Sequence, residues 1–316
     1  MVGFHCIVGG NAYYERCLPF VFGMYYGLQS ATNYAIIPTM KPILISTIAL
    51  LLSFGLSMIV TRLITMKRRR EGRLTRRRRL VTFGVCLFVL YNLGAIVYFG
   101  SYSRATEHAV SCLKGTGTVR VEPIDEGYRF DGPGTDDALV FYPGARVEET
   151  AYAELMTGLA EKGLDCFLIK MPLKMAFLGK MKADDVIGKY SYKNWYIGGH
   201  SLGGAMAGAY ASVAGDKLKG IVMLAAYTDE KLPDGLKMIT FTATEDGVLN
   251  RDAYEEAKKN WPNDVTEVSI DGGNHAGFGD YGEQSGDNTA TISPEEQMLR
   301  VADDTIAFVR DSHDSN

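Results

Sequence analysis

The segment Gly199-His200-Ser201-Leu202-Gly203 is the part of the sequence that decides the fold. It follows an apolar stretch at Trp195–Ile197 and opens a run rich in glycine and alanine. Because glycine permits sharp turns and close approach of the backbone, this order predicts a strand, a tight turn and a helix. The hydroxyl of Ser201 would be exposed at that turn, which makes Ser201 a candidate nucleophile.

A serine hydroxyl needs a neighbouring base to become nucleophilic. Among the five histidines of the chain, His275 is the candidate, because it lies in a glycine-rich loop directly after the last predicted strand. Asp246 follows another predicted strand and is the candidate acid that orients His275, with Glu245 as the alternative. The chain order of serine, acid and histidine is the order expected for this kind of turn. For His200 we expect a packing or hydrogen-bonding role.

Two backbone N–H groups are expected to stabilise the oxyanion of a tetrahedral intermediate. One belongs to Leu202, the residue after the nucleophile. The other belongs to Ala145, in the loop after the predicted strand Ala138–Tyr142, where Gly144 permits the turn. Arg146 is a weaker candidate for binding an acidic group of the substrate, and a solvated surface arginine is an equal alternative. The sequence predicts no metal site and no organic cofactor.

Short apolar runs alternate with amphipathic ones through the second part of the chain, which predicts a mostly parallel, doubly wound α/β sheet covered on both faces. The predicted strands are Thr118–Glu122, Tyr128–Asp131, Ala138–Tyr142, Cys166–Met171, Trp195–Ile197, Leu218–Ala225, Met238–Ala243 and Thr266–Ile270. The predicted helices are Glu149–Lys162, Ala183–Tyr190, Leu202–Val213, Asn250–Asn260 and Pro294–Val309.

From about residue 103 to 311 the chain resembles the α/β-hydrolase superfamily, and it looks most like the compact bacterial branch related to dienelactone hydrolases, which often follows N-terminal membrane segments. The similar stretches are Phe141–Gly144, Lys170–Pro172, Gly198–Gly204 and Gly272–Gly286. The resemblance implies the α/β-hydrolase fold and a Ser-His-Asp triad. Dienelactone hydrolases typically use a cysteine nucleophile where this chain has Ser201, so the resemblance implies no particular substrate.

The first hundred residues have a different composition, with 12 basic and two acidic residues, whereas the remaining residues hold 21 basic and 35 acidic ones. Apolar runs at 43–62 and 80–100 are each long enough to cross about 30 Å of hydrocarbon. The loop 67–79 between them carries nine basic residues and one acid, which places it in the cytoplasm by the positive-inside rule. For residues 1–39 the alternatives are a third membrane segment, an interfacial segment, a loop, or a stretch that lies outside the mature protein.

The predicted organisation is a membrane anchor at 1–100, a polar linker at 101–117 and a hydrolase domain at 118–311. The chain would lie in the cell membrane, in contact with the lipid bilayer, with two or three transmembrane helices and an extracytoplasmic hydrolase domain. The acidic character of that domain argues against nucleic-acid binding. The five cysteines show no disulfide framework.

The predicted activity is hydrolysis of carboxylic esters on a small-molecule or envelope substrate. The segment 226–237 between two predicted strands is short and polar, so we expect no large lid and a preference for short or polar acyl groups. The alternatives are a peptidase, amidase or acyltransferase with the same triad, and a catalytically silent envelope-binding domain.

Overall fold

A computed structural model of the chain describes residues 53–63, 76–133 and 136–314. The helices are α1 (53–63), α2 (Arg76–Gly100), α3 (Glu107–Cys112), α4 (Ala153–Glu161), α5 (Lys182–Lys189), α6 (Leu202–Ala214), α7 (Arg251–Ala257) and α8 (Pro294–Asp314). The strands are β1 (Arg120–Ile124), β2 (Gly127–Asp131), β3 (Asp137–Tyr142), β4 (Asp165–Ile169), β5 (Asn194–His200), β6 (Gly220–Leu224), β7 (Lys237–Ala243) and β8 (Asp264–Ile270).

The eight strands form one sheet in the order β1-β2-β4-β3-β5-β6-β7-β8. The pairs β1–β2 and β2–β4 are antiparallel, and every pair from β4 to β8 is parallel. The predicted mostly parallel sheet is therefore confirmed. Since the parallel strands end at the same edge, the loops that follow β3, β5, β7 and β8 meet there.

The sheet is buried on both faces, as the apolar strand sequences require. Along β3, Leu139 and Phe141 face one hydrophobic cluster, whereas Val140 and Tyr142 face the other. Helices α4 and α8 cover the first face, and α5, α6 and α7 cover the second. This two-sided packing fixes the strand ends that carry the candidate site.

The stretch 101–117, predicted as a polar linker, is partly helical and packs on the hydrolase domain. Thr106 caps α3 by accepting a hydrogen bond from the N–H of Ala109, and the side chain of Ala109 is fully buried. Helix α3 lies against α4. A small buried residue and a side-chain cap therefore give this stretch an ordered structure that its composition did not indicate.

In the part of the chain that the structure describes, no helix combines the length and the hydropathy that a membrane crossing requires. The two predicted spans are therefore not confirmed. Residues 43–52 of the first span lie outside the described residues, and the second span falls within α2. Residues 1–39 and most of the basic loop 67–79 also lie outside them.

Candidate active site

Ser201 lies at the turn between β5 and α6. Its backbone has φ 52° and ψ −124°, a conformation that is costly for a residue with a side chain and that is held by its neighbours. The N–H of Ser201 donates to the carbonyl of Leu224 on the adjacent strand, at 2.9 Å. Gly203 makes the turn possible, because a Cβ atom there would lie 2.1 Å from the carbonyl oxygen of Tyr142. The local sequence therefore forces the strained turn expected of a nucleophile elbow.

His275 and Asp246 are joined by a hydrogen bond of 2.9 Å between Nδ1 and Oδ2. The other carboxylate oxygen of Asp246 accepts from the N–H groups of Val248 and Leu249, both at 2.8 Å. Burial would raise the pKa of Asp246, but the hydrogen bonds and the charge of His275 outweigh it, so this pKa lies below its ordinary value. A carboxylate that stays ionised can orient an imidazole and stabilise its protonated form.

Of the two candidate acids, the structure brings Asp246 to His275. Glu245 is half-buried beside it, and its carboxylate accepts from the Thr244 hydroxyl instead. The Nε2 atom of His275 is buried and has no hydrogen-bond partner among the described residues. Its side chain is thus fixed at one nitrogen and unengaged at the other.

No hydrogen bond joins the side chains of Ser201 and His275 in the described part of the chain. The ring of His200, the residue before Ser201, lies 4.6 Å from the ring of His275 between centroids. Catalytic hydrogen bonds are often long before substrate binds, so this arrangement is compatible with a nucleophile and its base.

His200 has the hydrogen-bonding role expected for it. Its Nδ1 lies 2.8 Å from the hydroxyl of Tyr152, and that hydroxyl accepts from the N–H of Gly144 at 3.0 Å. Burial lowers the pKa of His200 well below its ordinary value, and the neighbouring His275 lowers it further. A neutral His200 and Tyr152 therefore form a buried chain of hydrogen bonds that ends on the loop after β3.

That loop carries Ala145, whose N–H has no backbone hydrogen-bond partner among the described residues. The N–H of Leu202 is the first of α6, where a helix offers no internal acceptor. Gly144 is required by close packing, since a Cβ atom there would lie 2.9 Å from both His200 Nδ1 and the Tyr152 hydroxyl. Neither N–H group expected to bind an oxyanion donates to another backbone group in the part of the chain that the structure describes; one follows β3 and the other follows β5.

Arg146 is engaged elsewhere. Its Nε donates to the carbonyl of Ser101 at 2.8 Å, and its guanidinium lies over the ring of Tyr98 at 4.7 Å from the centroid. Its N–H donates to the carbonyl of Lys174 at 2.8 Å. The structure thus directs the Arg146 side chain to the C-terminal end of α2.

Sequence reasoning missed the residues that hold the loops of the site. Asp287 accepts from the N–H of Gly247 at 2.9 Å and from that of Ala276 at 2.8 Å, so it ties the Asp246 loop to the His275 loop. Gln297 exchanges two hydrogen bonds with the backbone of Asn274, the residue before His275. Their partners are backbone groups from distant segments, which no sequence pattern identifies.

Among the described residues, His108, Glu154 and Glu295 are close enough for their side chains to share a cation. They belong to α3, α4 and α8, and His108 and Glu154 already form a pair at 3.3 Å. Two of the three side chains are exposed, as charged groups on packed helices commonly are.

Comparison with known proteins places the chain in a family. A family model described as the alpha/beta hydrolase family matches residues 138–299. No curated protein matches the chain. Among solved structures, it is similar to Est1E from Butyrivibrio proteoclasticus, with 13% identity, a TM-score of 0.44 and coverage of 61% of this chain and 100% of that one. It is also similar to TT1662 from Thermus thermophilus, with 14% identity, a TM-score of 0.44 and coverage of 63% of this chain and 99% of that one.

Carboxyl esterase 2 from the mycorrhizal fungus Tuber melanosporum is also similar, at 11% identity and a TM-score of 0.42, covering 64% of this chain and 91% of that one. None of these matches separates the branch related to dienelactone hydrolases from others. The family match spans more than half of the chain and contains Ser201, Asp246 and His275. The chain therefore belongs to the alpha/beta hydrolase family.

Proposed function

We propose that the protein is a serine hydrolase of carboxylic esters, with Ser201 as nucleophile, His275 as base and Asp246 as the residue that orients the base. The observation that carries this proposal is the 2.9 Å hydrogen bond between Asp246 and His275 Nδ1. The opposite nitrogen of His275 is buried and has no partner among the described residues, and its ring lies 4.6 Å from that of His200, which precedes the strained Ser201. A serine, a base and an ionised acid in one site are the parts that acyl transfer requires.

In the first step His275 Nε2 takes the proton of Ser201 Oγ as that oxygen attacks the ester carbonyl. The negative charge moves to the carbonyl oxygen, where the N–H groups of Ala145 and Leu202 stabilise it. His275 then returns the proton to the leaving alcohol, and the acyl group stays on Ser201. A water molecule then attacks the acyl carbonyl while His275 accepts its proton. His275 passes that proton to Ser201 Oγ as the carboxylic acid is released.

The test is reaction with a fluorophosphonate probe, followed by ester hydrolysis with purified full-length protein. Ser201→Ala should abolish labelling and reduce kcat by several orders of magnitude. Ser212→Ala is the matched control, because Ser212 lies on the same helix and its hydroxyl donates to the backbone of Ala209. Labelling of Ser201→Ala at the wild-type level would refute the assignment of the nucleophile.

We propose short or polar acyl groups as substrates. Residues 225–236, between β6 and β7, contain no helix, so no helical lid is supplied from this position. An added methylene group that no apolar pocket receives gains little of the roughly 0.8 kcal/mol that it contributes when buried. A matched panel of esters and amides separates this proposal from an amidase or peptidase that uses the same residues.

We propose further that the N-terminal region attaches the hydrolase domain to a membrane and that the domain lies outside the cytoplasm. The apolar run 80–100 and the basic loop 67–79 support this proposal. Several large apolar side chains of α2 are exposed in the monomer, among them Leu80, Val85, Phe88 and Leu93. Protease added to intact spheroplasts should digest the region beyond residue 101, and protection of that region until lysis would show the opposite topology.

A further inference from the structure

The segment Lys170–Lys182 differs from the domain that contains it. Residues 101–316 carry an excess of 14 acidic residues, yet these 13 positions hold four lysines and no acid. Three of its apolar residues are exposed, with 57% of Leu173, 46% of Leu178 and 44% of Met181 accessible. Exposed apolar side chains interleaved with lysines are the composition of a surface that binds at a lipid interface.

The backbone of this segment is strained at the exposed Leu173 and at the neighbouring Lys174. Leu173 has φ 51° and Lys174 has φ 57°, left-handed values that residues with side chains seldom adopt. Neighbouring residues hold Lys174 in this conformation, since its carbonyl accepts from the N–H of Arg146 and its ammonium pairs with Glu149. Strain of this kind concentrates at functional positions.

The segment also lies at the C-terminal end of α2. Residues Pro172–Lys174 contact that helix, and the ammonium of Lys174 lies 5.2 Å from the centre of the Tyr102 ring. Arg146 joins the same helix end through Ser101 and Tyr98. If α2 leaves a bilayer near residue 100, these contacts fix the face of the hydrolase domain that meets the lipid.

We propose that Lys170–Lys182 docks onto an anionic lipid surface, with Leu173, Leu178 and Met181 in the headgroup region and Lys170, Lys180 and Lys182 at the lipid phosphates, whereas Lys174 stays paired with Glu149. The proposal rests on the membrane attachment proposed above. The lysines supply charge complementarity to anionic lipid, and their aliphatic stems let the ammonium groups stay at the surface. Docking in this orientation would hold the Ala145 loop next to the bilayer, because the N–H of Arg146 in that loop donates a hydrogen bond to the carbonyl of Lys174.

The first experiment reconstitutes the full chain in nanodiscs of phosphatidylcholine with phosphatidylglycerol and a photoreactive phosphatidylglycerol. Peptide mapping should find cross-links in 80–100 and in 170–182, but not around Val213, which is 67% exposed on α6. Cross-links in 80–100 without any in 170–182 would overturn docking and leave the attachment standing. The absence of cross-links from both segments would overturn both proposals.

The second experiment uses the triple variant Leu178→Gln, Lys180→Gln and Met181→Gln, with Val213→Gln as the matched exposed apolar control. Cross-linking of 170–182 should fall by at least about fivefold, the usual effect of removing one cation near an anionic surface. Hydrolysis of a soluble ester in detergent should remain at the wild-type rate, which shows that the variant is folded. Unchanged cross-linking in a folded variant would refute docking through this segment.

Discussion

The hydroxyl of Tyr152 should control the position of the Ala145 loop, and Tyr152→Phe tests this. The hydroxyl accepts from the N–H of Gly144 at 3.0 Å and contacts His200 Nδ1 at 2.8 Å, and both the tyrosine and the histidine are buried. Phenylalanine keeps the ring and removes only the oxygen. The variant therefore leaves a buried N–H and a buried ring nitrogen without partners.

The expected loss of stability follows from the Gly144 N–H and His200 Nδ1, which both lose their hydrogen-bond partner. A buried polar group left without its partner costs about 1–3 kcal/mol, so the loss of two partners should lower the unfolding free energy by about 2–6 kcal/mol. Catalysis should suffer separately, because Gly144 precedes the N–H of Ala145. Deleting one oxyanion donor costs about 10²–10³ in kcat, and displacing one costs less, so we expect kcat to fall by about ten to a hundredfold with little change in KM.

The assay is steady-state hydrolysis of a soluble ester together with denaturant unfolding. Tyr142→Phe is the matched control, because its buried hydroxyl donates to the carbonyl of Lys180 at 2.6 Å and accepts from the N–H of Ala183 at 3.0 Å. This control should lose comparable stability and keep its kcat. If both variants lost kcat equally, the effect would come from general loosening, and the role of Tyr152 in placing the loop would be refuted.

Further predictions concern the acid, the pH dependence and the acyl chain. Asp246→Asn should lower kcat about 10⁴-fold, whereas the exposed Asp271→Asn should leave it unchanged in the same assay. The pKa of His200 is lowered in the folded state, so below about pH 6.5 the unfolded chain binds a proton at His200 that the folded chain does not. As the pH is lowered through this range, the unfolding free energy should therefore decrease by up to about 1.4 kcal/mol per pH unit. Denaturant titrations across pH check this, and His200→Gln should flatten the slope. For p-nitrophenyl esters, kcat/KM should not climb beyond about eight carbons, and a steady rise would reveal an apolar groove.

Much of the architecture could be predicted because it depends on local sequence patterns, namely apolar runs and glycine positions. The apolar runs gave six strands of the parallel part of the sheet, and the glycines around Ser201 marked the turn between β5 and α6. The order of Ser201, Asp246 and His275 follows from the topology, since β5, β7 and β8 end at one edge. These features depend on neighbours in the chain or on a fixed strand order.

The contacts that position the site could not be predicted in this way. Tyr152 follows β3 by ten residues, and its hydroxyl meets His200 only because the sheet brings their segments together. Asp287 lies in a loop without regular structure and binds backbone groups of two other loops. A polar side chain whose partners are distant N–H groups has no periodicity, so its role appears only in three dimensions.

The stretch between α2 and the hydrolase domain also makes contacts that its sequence does not reveal. Composition placed the start of the hydrolase domain near residue 118, after a polar linker. In the structure Ser103 forms a parallel bridge with Val147, donating to the carbonyl of Arg146 and accepting from the N–H of Glu148, each at 2.8 Å. The stretch that leads out of α2 therefore supplies hydrogen bonds to the loop that carries Ala145. Removing it would leave that loop without two of its backbone hydrogen-bond partners.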